Sequence, residues 1–137
     1  MTAVVFIGAG CFWGVEARLA ALPGVVDTRV GYMGEPEAEV VRVRFDPART
    51  DVPALLRGVL ERHDPTRARP ARYRSAVFVT ASDQARLARS VLPPGALTEI
   101  APAGAFREAA ERHQNWAANR AADPRARKGD AVPGMAL

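Results

Sequence analysis

The 137-residue sequence predicts an α+β fold, a ferredoxin-like split βαβ plait in which an antiparallel or mixed sheet carries helices packed on it. Three observations predict it. Apolar spacing changes from strand-like to helix-like in the order β-α-β-β-α-β, with a further helix and strand behind. The stretch "EVVRVRFD" alternates at the two-residue period of a half-buried strand. Finally, a chain of this length buries a core without disulfide or metal staples, so residues 1–137 are expected to form one domain, with 123–137 an irregular tail.

The elements follow in order. "AVVFI" (Ala3 to Ile7) is an apolar, β-branched run ended by Gly8-Ala9-Gly10, hence a buried strand leaving through a tight turn. Val15, Leu19 and Leu22 then recur at helical spacing until Pro23-Gly24, which places Cys11 where strand gives way to helix. "VVDTRVGYMG" reads as a second strand. In the third, Val41, Val43 and Phe45 share one face with Glu39, while Arg42 and Arg44 lie on the other. Asp51 caps a helix with Pro53 in its first turn and a stripe of Leu56, Val59, Leu60 and His63, closed by Asp64-Pro65. "YRSAVFVT" is a fourth strand, Ser82 to about Val91 a third helix, "LTEIAP" a short fifth strand, and Arg107 to about Ala122 a last helix.

Composition narrows the function classes. No apolar run approaches the roughly 18 residues that span a bilayer, and the N-terminus lacks the charged-then-apolar design of a signal peptide, so a cytoplasmic protein is expected. A single cysteine forms no internal disulfide and is too few for a Cys-based zinc site. Net charge is +4 and the pI about 10.2. The cations are almost all Arg, mixed with Glu and Asp in Ala-rich segments, as on a solvated surface. One denser stretch, "RARPARYR", sets Arg67, Arg69, Arg72 and Arg74 around Tyr73. Such a pattern grips phosphate or a stacked base in some proteins, but short basic motifs have a high false-positive rate and no nucleic-acid partner is expected.

Cys11 has two readings. Free cysteines are often small core fillers. At the first turn of a helix, however, unpaired N–H groups and the helix dipole stabilise a thiolate and lower its pKa, giving a nucleophile at neutral pH. Phe12 and Trp13 are either core or the wall of an apolar pocket beside the sulfur. Glu39, in phase with the core-facing stripe, is either a desolvated carboxyl able to donate a proton or a residue paired with one of the many arginines. Tyr73 is in phase with Ser75, Val77 and Val79, so its hydroxyl either donates from a buried place or is satisfied in the core. His63 and His113 are isolated, and no metal site is expected.

"GAGCFWGVEARLAALPGVVDTRVGY" resembles the signature of the A-type peptide methionine sulfoxide reductases, which reduce the S-epimer of methionine sulfoxide. "AEVVRVRFDP", "HDPT", "YRSAVF", "TEIAPAGAF" and "ERHQNW" look like that family's later blocks in the same order, through about Trp116. The resemblance implies a thiol-dependent reductase, a shortened member, that converts peptide-bound or free methionine-S-sulfoxide to methionine through a cysteine sulfenic acid, in repair of oxidative damage. It implies that Cys11 attacks the sulfoxide sulfur, Phe12 and Trp13 enclose the substrate methyl with Tyr32 beside them, Glu39 supplies the proton and Tyr73 assists. Glu16 is expected to orient the first helix. No bound cofactor is implied. Since "GDAVPGMAL" holds no resolving cysteine, reduction of the sulfenic acid falls to thioredoxin, glutaredoxin or a small thiol.

Departures from the family pattern concentrate around the acid. "RARPAR" (residues 67–72) stands where the family usually carries Gly-Asn-Asp-x-Gly-Thr-Gln, Glu37 stands where a histidine is usual, and Phe106-Arg107 replaces Phe-Tyr. A more open and basic pocket is expected, which either weakens Glu39 as an acid or admits an anionic substrate. Two other readings remain at this point. One is a weak or inactive relative, either reducing a different sulfoxide or binding a small molecule or anion with Arg67, Arg69, Arg72 and Arg107. The other is a Cys-His acyl-transfer enzyme using His63 or His113.

Overall fold

The computed structural model describes residues 1–122. The tail expected over 123–137 lies outside the described residues. Six strands and four helices follow one another as β1 (Ala3–Gly8), α1 (Phe12–Ala20), β2 (Val25–Met33), β3 (Ala38–Phe45), α2 (Val52–Leu60), β4 (Ala76–Val79), α3 (Ser82–Arg89), β5 (Glu99–Pro102), β6 (Arg107–Glu108) and α4 (Trp116–Ala122). They make one sheet in the order β5-β4-β1-β3-β2-β6. Its inner part, β4-β1-β3-β2, is antiparallel throughout and is the expected split βαβ plait. A parallel β5 beside β4 and an antiparallel β6 beside β2 extend it at the two edges.

Local chemistry explains the joints that position the site. Gly10 adopts φ 92°, a conformation open to glycine and costly for side chains, and this lets β1 turn directly into α1. α2 starts as expected, with the Asp51 carboxylate accepting from Ala54 N at 2.8 Å and Pro53 in the first turn.

Burial falls on both faces of the sheet. On one, Val5, Ile7, Val30, Val41, Val43 and Phe45 meet Phe12, Val15 and Leu19 of α1 and Leu55, Leu56 and Val59 of α2. Each such side chain contributes about 1.5–3 kcal/mol of transfer free energy, so this layer fixes α1 on the sheet. On the other face Phe6, Met33, Val40 and Phe78 are covered by Phe106, whose ring centroid lies 5.2 Å from that of Phe6.

Three expectations are corrected. The fourth strand starts at Ala76, not Tyr73, because Pro70 leads into a 3₁₀ turn over Ala71–Tyr73. His63 lies past the end of α2 at Leu60, although it is buried. The long helix expected from Arg107 is replaced by β6, a 3₁₀ turn at Glu111–His113 and a short α4. Edge pairing overrides the helical propensity of this Ala-, Arg- and Glu-rich segment: Gly31 pairs with Glu108, Tyr32 with Arg107, and Ala109 N donates to Val30 O at 3.0 Å. Asn115, at φ 51°, then resets the chain before α4.

Gly31 makes that pairing possible. A Cβ there would sit 2.4 Å from Arg107 O and 2.6 Å from the Phe106 ring. Gly31→Ala is therefore expected to displace β6 and cost about 2 kcal/mol, read as a lower urea midpoint; an unchanged midpoint would contradict the close approach. Among the described residues, no helix is long and apolar enough to cross a membrane.

Candidate active site

Cys11 occupies the N-cap of α1 with extended backbone angles, φ −63° and ψ 127°, and its side chain is half-buried. The backbone N–H groups of Trp13 and Gly14 favour the thiolate, as a helix start should, although Cys11 makes no side-chain cap hydrogen bond. The expected lowering of the pKa is nevertheless overturned. Burial is the largest influence and pushes the thiol up, and the nearby Glu39 carboxylate adds to this, so the proton stays on sulfur in the resting site.

Glu39 combines its two sequence readings. It sits in the core-facing phase of β3, 3 % exposed, and it is paired with an arginine. Oε1 accepts from the backbone N–H of Phe12 at 3.1 Å, which ties the carboxyl to the residue following the nucleophile. Oε2 accepts from Arg72 Nε at 2.7 Å. The guanidinium approaches from the solvent side, its side chain 61 % exposed. Tyr32 lies directly opposite Glu39 in the β2–β3 ladder.

The aromatic residues divide between floor and rim. Phe12 is 3 % exposed in the main core, with ring centroids 5.6 Å from Tyr32 and 5.9 Å from His113. Trp13 is half-buried and stacks on Trp116, centroids 4.2 Å apart and planes 6° from parallel. Its indole N–H donates to His113 Nδ1 at 3.2 Å. Tyr32 is half-buried, and the Arg107 guanidinium lies 4.1 Å from its ring centroid. Tyr73 is half-buried in the 3₁₀ turn, with the Arg72 guanidinium 5.5 Å from its ring. The structure thus gathers Cys11, Phe12, Trp13, Tyr32 and Glu39 around the start of α1, with Tyr73 joined to them through Arg72.

The sequence profile of the Peptide methionine sulfoxide reductase family matches residues 3–38 and 35–130. A peptide methionine sulfoxide reductase MsrA from Mycobacterium sp. (strain JLS) is 36 % identical over 136 residues, covering 80 % of this chain and 80 % of that protein. The chain belongs to the peptide methionine sulfoxide reductase family. Among solved structures, methionine sulfoxide reductase A of Corynebacterium diphtheriae superposes with a TM-score of 0.81 at 28 % identity, over 96 % of this chain and 83 % of that one. Mxr1 from Saccharomyces cerevisiae in complex with Trx2 superposes with a TM-score of 0.61 at 25 % identity, over 82 % and 84 % of the two chains.

Within this member of the family, the C-terminal segment supports the site in ways the sequence reading did not assign. Gln114, buried, accepts from Val30 N at 2.8 Å and donates to Val30 O at 2.9 Å and Ala109 O at 3.0 Å. Trp116 backs Trp13. The available signal was "ERHQNW" itself: a Gln-Asn-Trp run without apolar periodicity suits docking better than a helix interior. Glu16 fulfils its expected orienting role. Its carboxylate, 2 % exposed, accepts from Thr28 Oγ1 at 2.9 Å and from Asn115 N at 2.7 Å, joining α1 to β2 and to the start of α4. Glu16→Ala leaves the buried Thr28 hydroxyl without its partner and cuts the tie to Asn115 N. We expect a loss of about 3 kcal/mol in chemical unfolding; a loss under about 1 kcal/mol would show the tie to be dispensable.

The two histidines lack the disposition of a Cys-His pair. His63 lines a cleft of about 360 Å³ with Leu60, Pro65 and Pro93, and burial pushes its pKa down to about 4. His113 Nδ1 is taken by the Trp13 indole. Among the described residues, no group of three or more His, Cys, Asp or Glu could hold a metal ion.

Proposed function

We propose that this chain reduces methionine-S-sulfoxide, peptide-bound or free, to methionine with Cys11 as nucleophile, Glu39 as proton carrier and an external thiol as reductant. The observation that carries it is the tie between the buried Glu39 carboxylate and the backbone N–H next to Cys11. Sulfoxide oxygen leaves sulfur only when protonated, and a carboxyl beside the nucleophile can both take the thiol proton and deliver it. The substrate S-methyl packs against Trp13 and Tyr32 over Phe12. Cys11 Sγ attacks the sulfoxide sulfur as its proton passes through Glu39 to the oxygen, with Tyr73 assisting. The S–O bond then breaks, the oxygen passes to Cys11, and methionine leaves with a sulfenic acid on the enzyme. Two thiols reduce that sulfenic acid to thiol and water and become a disulfide.

The given sequence holds one cysteine, which supports a reductant from outside the chain. Thioredoxin is the first candidate, since a similar protein is known in complex with Trx2; glutaredoxin or a small thiol supplies the same chemistry. We place the reaction in the cytoplasm, as repair of oxidised methionine. Incubation with racemic methionine sulfoxide and dithiothreitol tests the reading. Consumption should stop at half conversion with only the R-epimer left, whereas no methionine, or loss of both epimers, would overturn it.

A further inference from the structure

We propose that Arg72 selects substrates: its guanidinium receives a carboxylate that the substrate carries close to the sulfoxide. The inference rests on the reductase reading above and adds the substrate class. A guanidinium offers five N–H donors in a planar fork. Arg72 spends Nε on Glu39 Oε2, and its terminal nitrogens have no hydrogen-bond partner among the described residues. The side chain is 61 % exposed, while the carboxylate it covers is buried. Its charge also acts on Cys11 and Tyr32, and its Nε bond to Glu39 sets it beside the carboxylate next to the nucleophile.

Two other arginines of this region, Arg107 and Arg74, are already engaged. Arg107 gives Nε and Nη2 to the two oxygens of Glu37, at 3.1 and 2.8 Å. Arg74 gives Nε to Glu99 and Nη1 to the carbonyls of Pro36 and Ala71. Arg72 therefore offers the paired donors that match a carboxylate.

Occupation of those donors has a chemical consequence. Two carboxylates then share one guanidinium, the hold on Glu39 Oε2 weakens, and Glu39 is freer to carry the proton. Recognition and proton delivery are linked, and the preference belongs in kcat as well as KM. The carboxylate has two possible sources, an Asp or Glu side chain adjacent to an oxidised methionine, or the α-carboxylate of free or C-terminal methionine sulfoxide.

Three N-acetylated methionine-S-sulfoxide peptides separate these. One has Glu beside the sulfoxide and an amidated end, one has Gln in that place, and one has Gln and a free carboxylate on a C-terminal methionine sulfoxide. Single-turnover rates are measured with the unaltered protein, Arg72→Gln, Arg72→Lys and Arg107→Gln, and affinities with the same peptides on a Cys11→Ser background by tryptophan fluorescence. At least one carboxylate peptide should exceed the neutral one by on the order of tenfold, and which one identifies the source. That ratio should fall to about one in Arg72→Gln, fall partly in Arg72→Lys, which keeps charge without the fork, and persist in Arg107→Gln. Ratios near one in the unaltered protein, a ratio surviving Arg72→Gln, or an equal fall in Arg107→Gln would overturn the proposal. If no peptide is reduced at all, the reductase reading fails, and the affinity ratios on Cys11→Ser still decide the role of Arg72.

Discussion

Glu39→Gln is expected to slow methionine formation by roughly 10²–10⁴, the usual contribution of general acid catalysis, while making Cys11 more reactive toward iodoacetamide. The two effects move in opposite directions for one reason. Glutamine keeps the shape and can still accept from Phe12 N, so the start of α1 stays in place. It removes the negative charge that helps push the Cys11 thiol up, so the thiol pKa falls and a larger thiolate fraction is present at neutral pH. Alkylation in the unaltered protein should rise with pH to a midpoint above that of a free thiol, because the folded-state pKa is raised. In Glu39→Gln the midpoint shifts down. Slower reduction together with slower alkylation would point to a displaced helix rather than a missing proton carrier.

Cys11→Ser is expected to abolish methionine formation even in a single turnover without costing stability. A hydroxyl cannot accept the sulfoxide oxygen and return it to a thiol, so no step of the cycle remains. Serine is, however, a preferred residue at a helix N-cap, the position Cys11 holds without making a side-chain cap. The unfolding midpoint should be unchanged or raised by a few tenths of a kcal/mol. Residual single-turnover reduction at more than about a hundredth of the original rate would rule Cys11 out as nucleophile.

How far the site was legible depends on whether its cause was local or long-range. The strand–turn–helix around Cys11 could be read from an apolar run, three small residues and a helical stripe, because each device acts within a few residues. Glu39 could be read as core-facing from its phase in β3. Its partner could not, since the choice among many arginines is made by the 3₁₀ turn that lifts Arg72 over the carboxylate. The thiol pKa was misjudged because helix-end stabilisation is a local rule while burial depends on everything packed nearby. The segment after Phe106 was misjudged because pairing with Gly31 and Tyr32, far away in sequence, outweighed propensity.

Oxygen transfer to Cys11 is the step on which the account turns. Reduced protein is mixed with one equivalent of methionine-S-sulfoxide labelled with oxygen-18, with no recycling thiol present, and the products are analysed by mass spectrometry. One equivalent of methionine and one labelled oxygen on the Cys11 peptide are expected, removable by dithiothreitol. Methionine formed with Cys11 unmodified, or with the label elsewhere in the chain, would contradict the mechanism.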